Sequence, residues 1–261
     1  MNLNKFFYTN FPEHYGKVNE FLETIYLPLK LLLFYLNFDI FFSSKSQDKW
    51  IVKEIFNYKK NGYFLDLAAT NGISENNTFY LEKRLNWNGI CIEPNKKFFK
   101  KLRKRRKVKC LCEVVGHESE EIDFLSLGGT GGIIGDEYDN NFLKREKRIK
   151  KAITENKIEK RNSRSLVSIL DEINAPKIID YFSLDIEGAE EIVLKNFPFE
   201  KYKFLALTIE RPSPLINQLL KKNNYTFVKN FKVDGFYIHE SIKNKVNLKF
   251  EKFYQIEKKS W

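Results

Sequence analysis

The sequence predicts an α/β fold on a mostly parallel sheet that ends in an antiparallel hairpin. From Asn61 onward, short apolar runs alternate with helical patterns at the spacing of βαβ units. One of these runs, Ile178–Asp185, reads as a strand buried on both faces. The last two, Tyr225–Lys229 and Gly235–Glu240, are close enough to pair as a hairpin.

The elements follow in order. Residues 1–60 are aromatic-rich without strand alternation and are expected to pack as helix or irregular chain around Phe21–Phe42, with a helix near Lys49–Tyr58. Tyr63–Leu67 is the first strand and Ala68–Gly72 the turn after it. A helix over Ser74–Asn86 follows, for which Ser74 and Asn76 are candidate caps. Gly89–Glu93 is the next strand; Pro94 stops it, and Asn95 can cap a basic helix running through Arg106. Lys107–Gly116 and Glu121–Leu127 read as two more strands. Phe142–Arg161 interrupts the alternation as a charged surface helix or lid. Ser165–Asn174, Glu190–Asn196 and Pro214–Asn223 are helices, and Phe204–Glu210 is a strand. The organisation is therefore an N-terminal segment 1–60, a catalytic-type α/β domain 61–240 and a basic extension 241–261.

A chain of 261 residues with 43 % hydrophobic side chains and 24 Phe can bury a large core, which excludes whole-chain disorder. Its net charge of +11 suits a polyanion, but exposed lysine alone accounts for it. Cys91, Cys110 and Cys112 form no disulfide framework, and a reducing, cytoplasmic setting is expected. Three His residues supply no second ligand pair for a zinc site. Pro28, Lys30 and Asp39 interrupt the apolar stretch Ile25–Phe42. Its uncharged run Leu31–Phe38 is far short of the ~20 residues of a membrane span. Glu13, Glu20 and Glu23 before it argue against a signal peptide. This stretch is expected to pack on the domain or on a second subunit, as in a homodimer. Peripheral membrane contact is compatible with it, because Lys30 can snorkel.

Ligands of an open parallel sheet bind beyond the carboxyl ends of its strands. Small residues follow the first strand, and Gly72 can adopt positive φ, although no GxGxxG fingerprint is present. Glu93 ends the second strand 27 residues after Asp66, where a carboxylate can accept both hydroxyls of a ribose. Gly128–Gly132 lacks the Gly-Lys-Ser/Thr of a phosphate loop and reads as a mobile loop beside the site. Ser183-Leu-Asp-Ile-Glu-Gly-Ala-Glu190 crowds Asp185, Glu187 and Glu190 at one strand end. Such carboxylates need a cation, a sulfonium or a transferable proton among them, unless they merely favour a helix N-terminus. Glu210 and His239 end two later strands.

Five segments resemble the FkbM family of S-adenosylmethionine-dependent methyltransferases. They are Asp66-Leu-Ala-Ala-Thr-Asn-Gly72, Glu82–Asn95, Ile179–Glu190, Leu207-Thr-Ile-Glu-Arg-Pro212 and Tyr237-Ile-His239, and the resemblance spans roughly Asn61–Glu240. It implies a Rossmann-like class I methyltransferase fold with a seven-stranded sheet, and methylation of a hydroxyl on a glycan or small metabolite. The family usually has an acidic residue where this chain has Asn71. On this reading Asp66, Ala68, Gly72, Glu93 and Pro94 line the S-adenosyl-L-methionine site. Asp185, Glu187 and His239 are the candidate bases, in that order. Alternatively, Asp185, Glu187 and Glu210 hold Mg²⁺, which would acidify the hydroxyl. A nucleic-acid methyltransferase would use Lys96–Lys107 and Lys144–Arg161 as a phosphate track, but the Asn/Asp-Pro-Pro-Tyr/Phe motif of amino-group methylation is absent. A non-catalytic scaffold with a cofactor fold is the third reading.

Overall fold

The computed structural model describes residues 22–126, 131–135, 138, 150 and 152–255. The chain divides into two units, residues 1–41 and 42–261. In the first, a π-helical turn, Leu22–Tyr26, runs into helix α1, Leu27–Tyr35, with Pro28 in the opening turn, where no intrahelical N–H is needed. Among the described residues, no helix is long and apolar enough to cross a membrane.

The second unit opens with helix α2 (Gln47–Trp50) and a π-helical turn, Ile51–Ile55, in place of the single helix expected over Lys49–Tyr58. Trp50, Ile51 and Val52 are all buried, so this stretch belongs to the core although it precedes the first strand. The main sheet comprises β1 (Tyr63–Leu67), β2 (Asn88–Ile92), β3 (Lys109–Leu111), β8 (Ile178–Leu184), β9 (Lys203–Glu210), β10 (Tyr225–Phe231) and β11 (Asp234–His239). Their spatial order is β10-β11-β9-β8-β1-β2-β3. Pairing is parallel from β9 to β3 and antiparallel around β11, as the sequence predicts. The order reverses between β1 and β8, where α/β sheets open a crevice at the carboxyl ends.

Helices α3 (Phe79–Leu85), α4 (Lys96–Arg105), α5 (Leu166–Glu172), α6 (Glu190–Lys195) and α7 (Pro214–Lys222) cover the sheet, and a short α8 (Glu240–Lys243) follows β11. Asn95 caps α4 as expected, its side chain accepting from the N–H groups of Lys97 and Phe98 at 3.0 and 3.2 Å. Helix α3 starts later than predicted because Asn76 is drawn elsewhere; it donates to Asp66 Oδ2 and to the Ala69 carbonyl, both at 3.0 Å. Alternation along β1 sends Leu65 and Leu67 into a core shared with α5, α6 and α7. On the other face Phe64 lies under the buried guanidinium of Arg106, 5.5 Å from the ring.

A second, four-stranded sheet was not foreseen. It orders β4 (Val114–Val115), β7 (Ile158–Arg164), β5 (Glu121–Leu125) and β6 (Gly132–Ile134) as β4-β7-β5-β6. The single strand expected over Lys107–Gly116 is thus two strands in two sheets, and Glu121–Leu127 leaves the main sheet. The end of the supposed surface helix Phe142–Arg161 is strand β7; residues 142–149 and 151 lie outside the described residues. Of β7 only Ser163 is fully buried, so its Ile-Glu-Lys-Arg-Asn-Ser-Arg sequence shows no apolar alternation.

Gly72 sits at φ +83, and a Cβ there would meet Leu102 Cδ1 at 2.9 Å and Arg106 Cγ at 3.1 Å. Gly72→Ala is expected to lower unfolding free energy by roughly 1–3 kcal/mol through backbone strain and crowding against α4. Denaturant titration of the variant measures this loss.

Candidate active site

A cleft with about 570 Å³ of open space lies beyond the carboxyl ends of β1, β2 and β8. Leu67, Ala68 and Thr70 line it from β1, Ile92 to Asn95 from β2, and Ile186, Glu187 and Ala189 from the turn after β8. The small sheet closes one side with Val114, Val115, Phe124, Gly132 and Ile133. Gly131 also lines the cleft, while residues 128–130 of the glycine run lie outside the described residues. Arg161 of β7 donates to the carbonyls of Pro94 and Cys112, both at 2.9 Å, which ties this wall to the ends of β2 and β3.

Glu93 is the most deeply buried polar residue lining the cleft, 4 % exposed. Its Oε2 accepts from the Thr70 N–H and its Oε1 from the Asn95 N–H, each at 2.8 Å. A carboxylate has about four acceptor positions, so two remain for a ligand. Burial pushes the Glu93 carboxyl up to about 7, against the pull of those two backbone donors.

Of the residues the sequence reading assigns to the cofactor, Ala68, Glu93 and Pro94 line the cleft, while Asp66 and Gly72 do not. Asp66 is 2 % exposed; its Oδ2 accepts from Thr78 Oγ1 at 2.7 Å and from Asn76 Nδ2 at 3.0 Å. Arg106 joins this buried network, donating to Asn76 Oδ1 at 2.9 Å and Thr78 Oγ1 at 3.0 Å and pairing with Glu82. Asp66 thus fastens the turn to α3 and α4, and Gly72 lets α4 approach. Asn71 Oδ1 accepts from the N–H groups of Ile73 and Ser74, both at 2.9 Å, so it shapes the same turn.

Beside the cleft, parallel register places Asp185 and Glu210 at neighbouring strand ends, and Asp234 pairs directly with Glu210. Lys45 Nζ stands among them, 2.9 Å from Asp234 Oδ1, 3.4 Å from Glu210 Oε1 and 3.8 Å from Asp185 Oδ2. Gln47 Nε2 donates to the other Asp234 oxygen at 2.5 Å. Arg211 Nη2 bridges Glu210 at 2.8 Å and Glu187 at 3.2 Å. Burial and the neighbouring Glu210 carboxylate hold Asp185 well above the usual carboxylate range. Burial also lifts Asp234 to about 6 and Glu190 to about 8. Burial acts on Glu210 in the same direction, but Lys45 and Arg211 outweigh it and keep this group low.

Asp185, Glu187 and Glu210 do come together, with ligand oxygens within 4.8 Å of one another. The positive charge such a cluster needs is already present in Lys45 and Arg211, so the geometry favours ion pairing within the chain over the Mg²⁺ alternative. Glu190 caps its own turn, accepting from the N–H groups of Ile186 and Gly188 at 2.8 and 2.9 Å.

His239 requires a correction. β11 runs antiparallel, so its first residue, Asp234, meets the mouth and its last, His239, lies at the far end of the sheet, paired with Tyr225. Five strand steps separate the two, about 16 Å. There Nδ1 accepts from the Ser241 N–H at 3.0 Å and caps α8. His239 cannot take a proton at the cleft.

Sequence reasoning missed Lys45, Gln47 and Asp234. The signal for Asp234 was available, because in a terminal hairpin the second strand starts where the parallel strands end. Lys45 and Gln47 carry no such signal. They are placed by Asp48, fully buried, which accepts from the N–H groups of Phe42 at 2.5 Å, Ser43 at 3.1 Å and Lys49 at 2.8 Å, and folds the 42–48 loop around itself.

A protein-family model described as the methyltransferase FkbM domain matches residues 66–234. No curated protein matches the chain. Among solved structures, methyltransferase FkbM from Methylobacillus flagellatus KT is similar at 13 % identity and a TM-score of 0.42, over 69 % of this chain and 44 % of that one. M. capricolum TrmK in complex with S-adenosyl-homocysteine is similar at 11 % identity and a TM-score of 0.36, over 74 % of this chain and 66 % of that one. This chain thus spans less than half the length of the first and less than two thirds of the second. The seven-stranded sheet is the Rossmann-like class I methyltransferase fold that the resemblance implies. Matched from Asp66 in β1 to Asp234 at the start of β11, the chain belongs to the methyltransferase FkbM domain family.

Proposed function

We propose that the protein is an S-adenosylmethionine-dependent O-methyltransferase acting on a hydroxyl of a glycan or small metabolite. The observation that carries this reading is the buried Glu93 carboxylate, held by two backbone N–H groups with acceptor capacity left over in a cleft at the switch point of the sheet. A vicinal diol donates two O–H groups to one acceptor group, which suits the ribose of the cofactor. When bound, S-adenosyl-L-methionine supplies an electrophilic methyl group.

The chain's own residues do the rest. Ala68 at φ +66 and Thr70 at φ +49 turn the backbone after β1 beneath the ligand. Glu187 lines the cleft from the turn after β8; Asp185, the residue after that strand, does not line it, but its carboxylate lies within 4.8 Å of that of Glu187. A hydroxyl is a weak nucleophile until its proton leaves, and Asp185, whose proton affinity is raised by burial and by Glu210, is the group suited to accept it. Lys45 offsets part of the repulsion among Asp185, Glu210 and Asp234. Positioning supplies most of the remaining rate, up to ~7–11 kcal/mol in favourable cases.

S-adenosyl-homocysteine is expected to bind and raise the melting temperature. Diol donors favour ionised Glu93, whose free carboxyl titrates at about 7, so ligand affinity should fall as pH drops below that value and level off above it. Glu93→Gln should weaken binding by roughly 1–3 kcal/mol and remove this pH dependence. Calorimetry between pH 5.5 and 8.5 reads both (about one binding decade per pH unit at the steepest). Unchanged affinity in the variant would remove Glu93 from the site.

The acceptor is sought with methyl-labelled cofactor against glycans and polyols. On the acceptor so found, Asp185→Asn should lower turnover by ~10²-fold or more while S-adenosyl-homocysteine still binds. Near-normal turnover would exclude Asp185 as the base.

Lys45→Met leaves three carboxylates without their shared cation and should destabilise the protein by ~3–5 kcal/mol near pH 8. The loss should shrink near pH 5, below the value of about 6 to which burial lifts the Asp234 carboxyl, because that group then takes up a proton. Urea unfolding at the two pH values tests it; an equal loss at both would refute the electrostatic account.

A further inference from the structure

The first unit carries a surface that methyl transfer does not use. Leu27 and Phe34, seven residues apart on one face of α1, are buried. The opposite face leaves Ile25, Leu29, Leu32 and Leu36 between 52 % and 59 % exposed, at the i, i+4, i+7, i+11 spacing of one helical stripe. Tyr26 and Tyr35 flank the stripe and Phe38 follows it, all at least half exposed. Seven of the fourteen large apolar side chains exposed among the described residues thus fall between positions 25 and 38. Soluble surfaces scatter such residues singly, and a contiguous stripe marks an interaction site.

We infer that this stripe docks the protein on an anionic lipid bilayer, with α1 lying in the plane of the headgroups. Nine residues of helix span only about 14 Å, far too short to cross a membrane and well suited to lying along one. The charge pattern selects lipid over a second copy of the chain. From Thr24 to Phe38 there is no acidic side chain and a single cation, Lys30, so nothing in the stripe is repelled by acidic headgroups. Lys30 lies over the Tyr26 ring at 5.9 Å, an apolar stem ending in a charged head that can reach the headgroup level. Tyr26 and Tyr35, at the two ends of the exposed apolar run, are side chains that prefer the membrane–water interface.

The whole chain carries +11, and α4 alone holds seven Lys and Arg with no acid. Two copies of such a chain repel each other, whereas an acidic bilayer attracts both. A short apolar helix binds membranes only marginally by itself, and a basic surface provides the second contribution that makes attachment stable.

The test is flotation of the full-length chain with vesicles of phosphatidylcholine alone, and of phosphatidylcholine with about one third phosphatidylserine. Binding is expected on the acidic vesicles and should weaken at high salt. Leu29→Glu/Leu32→Glu should lower partitioning at least ~10-fold, and Leu29→Ala/Leu32→Ala by less, with far-ultraviolet circular dichroism and melting temperature unchanged in both. The inference is overturned if wild type does not float with acidic vesicles. It is also overturned if the glutamate variant floats equally well, which would assign binding to the basic surface alone. Light scattering that shows a dimer abolished by the same variant, without vesicle binding, would make the stripe a subunit interface and overturn it too. None of these readouts depends on methyl transfer, so the inference and the proposed function stand or fall separately.

Discussion

The mouth of the sheet depends on one charge arrangement, in which Lys45 holds Asp185, Glu210 and Asp234. Three strands end in carboxylates there because parallel and antiparallel register bring their termini into one row. Left alone, such a row is costly, since each partly buried carboxylate loses hydration and repels the next. Lys45 and Arg211 make the row tolerable without abolishing its proton affinity. Glu210, which touches both cations, stays ionised, while Asp185, held at 3.8 Å by one of them, stays protonatable. The arrangement therefore sorts otherwise similar side chains into a fixed negative charge and a candidate base.

The family match, which begins at Asp66, does not contain the whole mouth, because Lys45 and Gln47 precede it in the sequence. The loop that delivers Lys45 is built by Asp48, and its stability comes from Trp50, Ile51 and Val52 packed in the core, with Trp50 4.8 Å from Phe236 of β11. Residues 42–55 are thus an integral layer of the second unit, which begins at residue 42.

The main sheet was legible because its strands are apolar and its turns are punctuated by Gly, Pro and Asn. Asn95 shows how far a local signal reaches, since its cap uses only the N–H groups two and three residues further along the chain. The small sheet was illegible for the opposite reason. β7 is charged along its length, and Arg161 within it faces carbonyls rather than solvent. At the cleft, the place of Glu93 in the lining was legible because strand order alone places a strand-end carboxylate. His239 misled because the same rule, applied to an antiparallel strand, points to the wrong end. Lys45 lies 140 residues before Asp185, and no pattern in the chain links the two.

The backbone around the cleft is held in conformations that ordinary residues avoid. Ala68 and Thr70 after β1, Glu187 after β8 and Arg211 after β9 all have positive φ, at +66, +49, +59 and +45. Such positions cost of order 1 kcal/mol or more each and persist only where surrounding bonds over-determine them. Here the bonds are identifiable. The Ala68 N–H donates to the Ile92 carbonyl at 2.9 Å, the Thr70 N–H to Glu93 at 2.8 Å, and the Arg211 N–H to the Val233 carbonyl at 2.9 Å. Each ties one strand end to its neighbour, so the strain of the turns and the register of the sheet support the same geometry. Glycine would relieve the strain but free the turn, and a freer Thr70 would loosen one of the two donors that fix Glu93. The non-glycine residues therefore hold the Glu93 carboxylate between its two backbone donors, so the rigidity of this cleft resides in its turns.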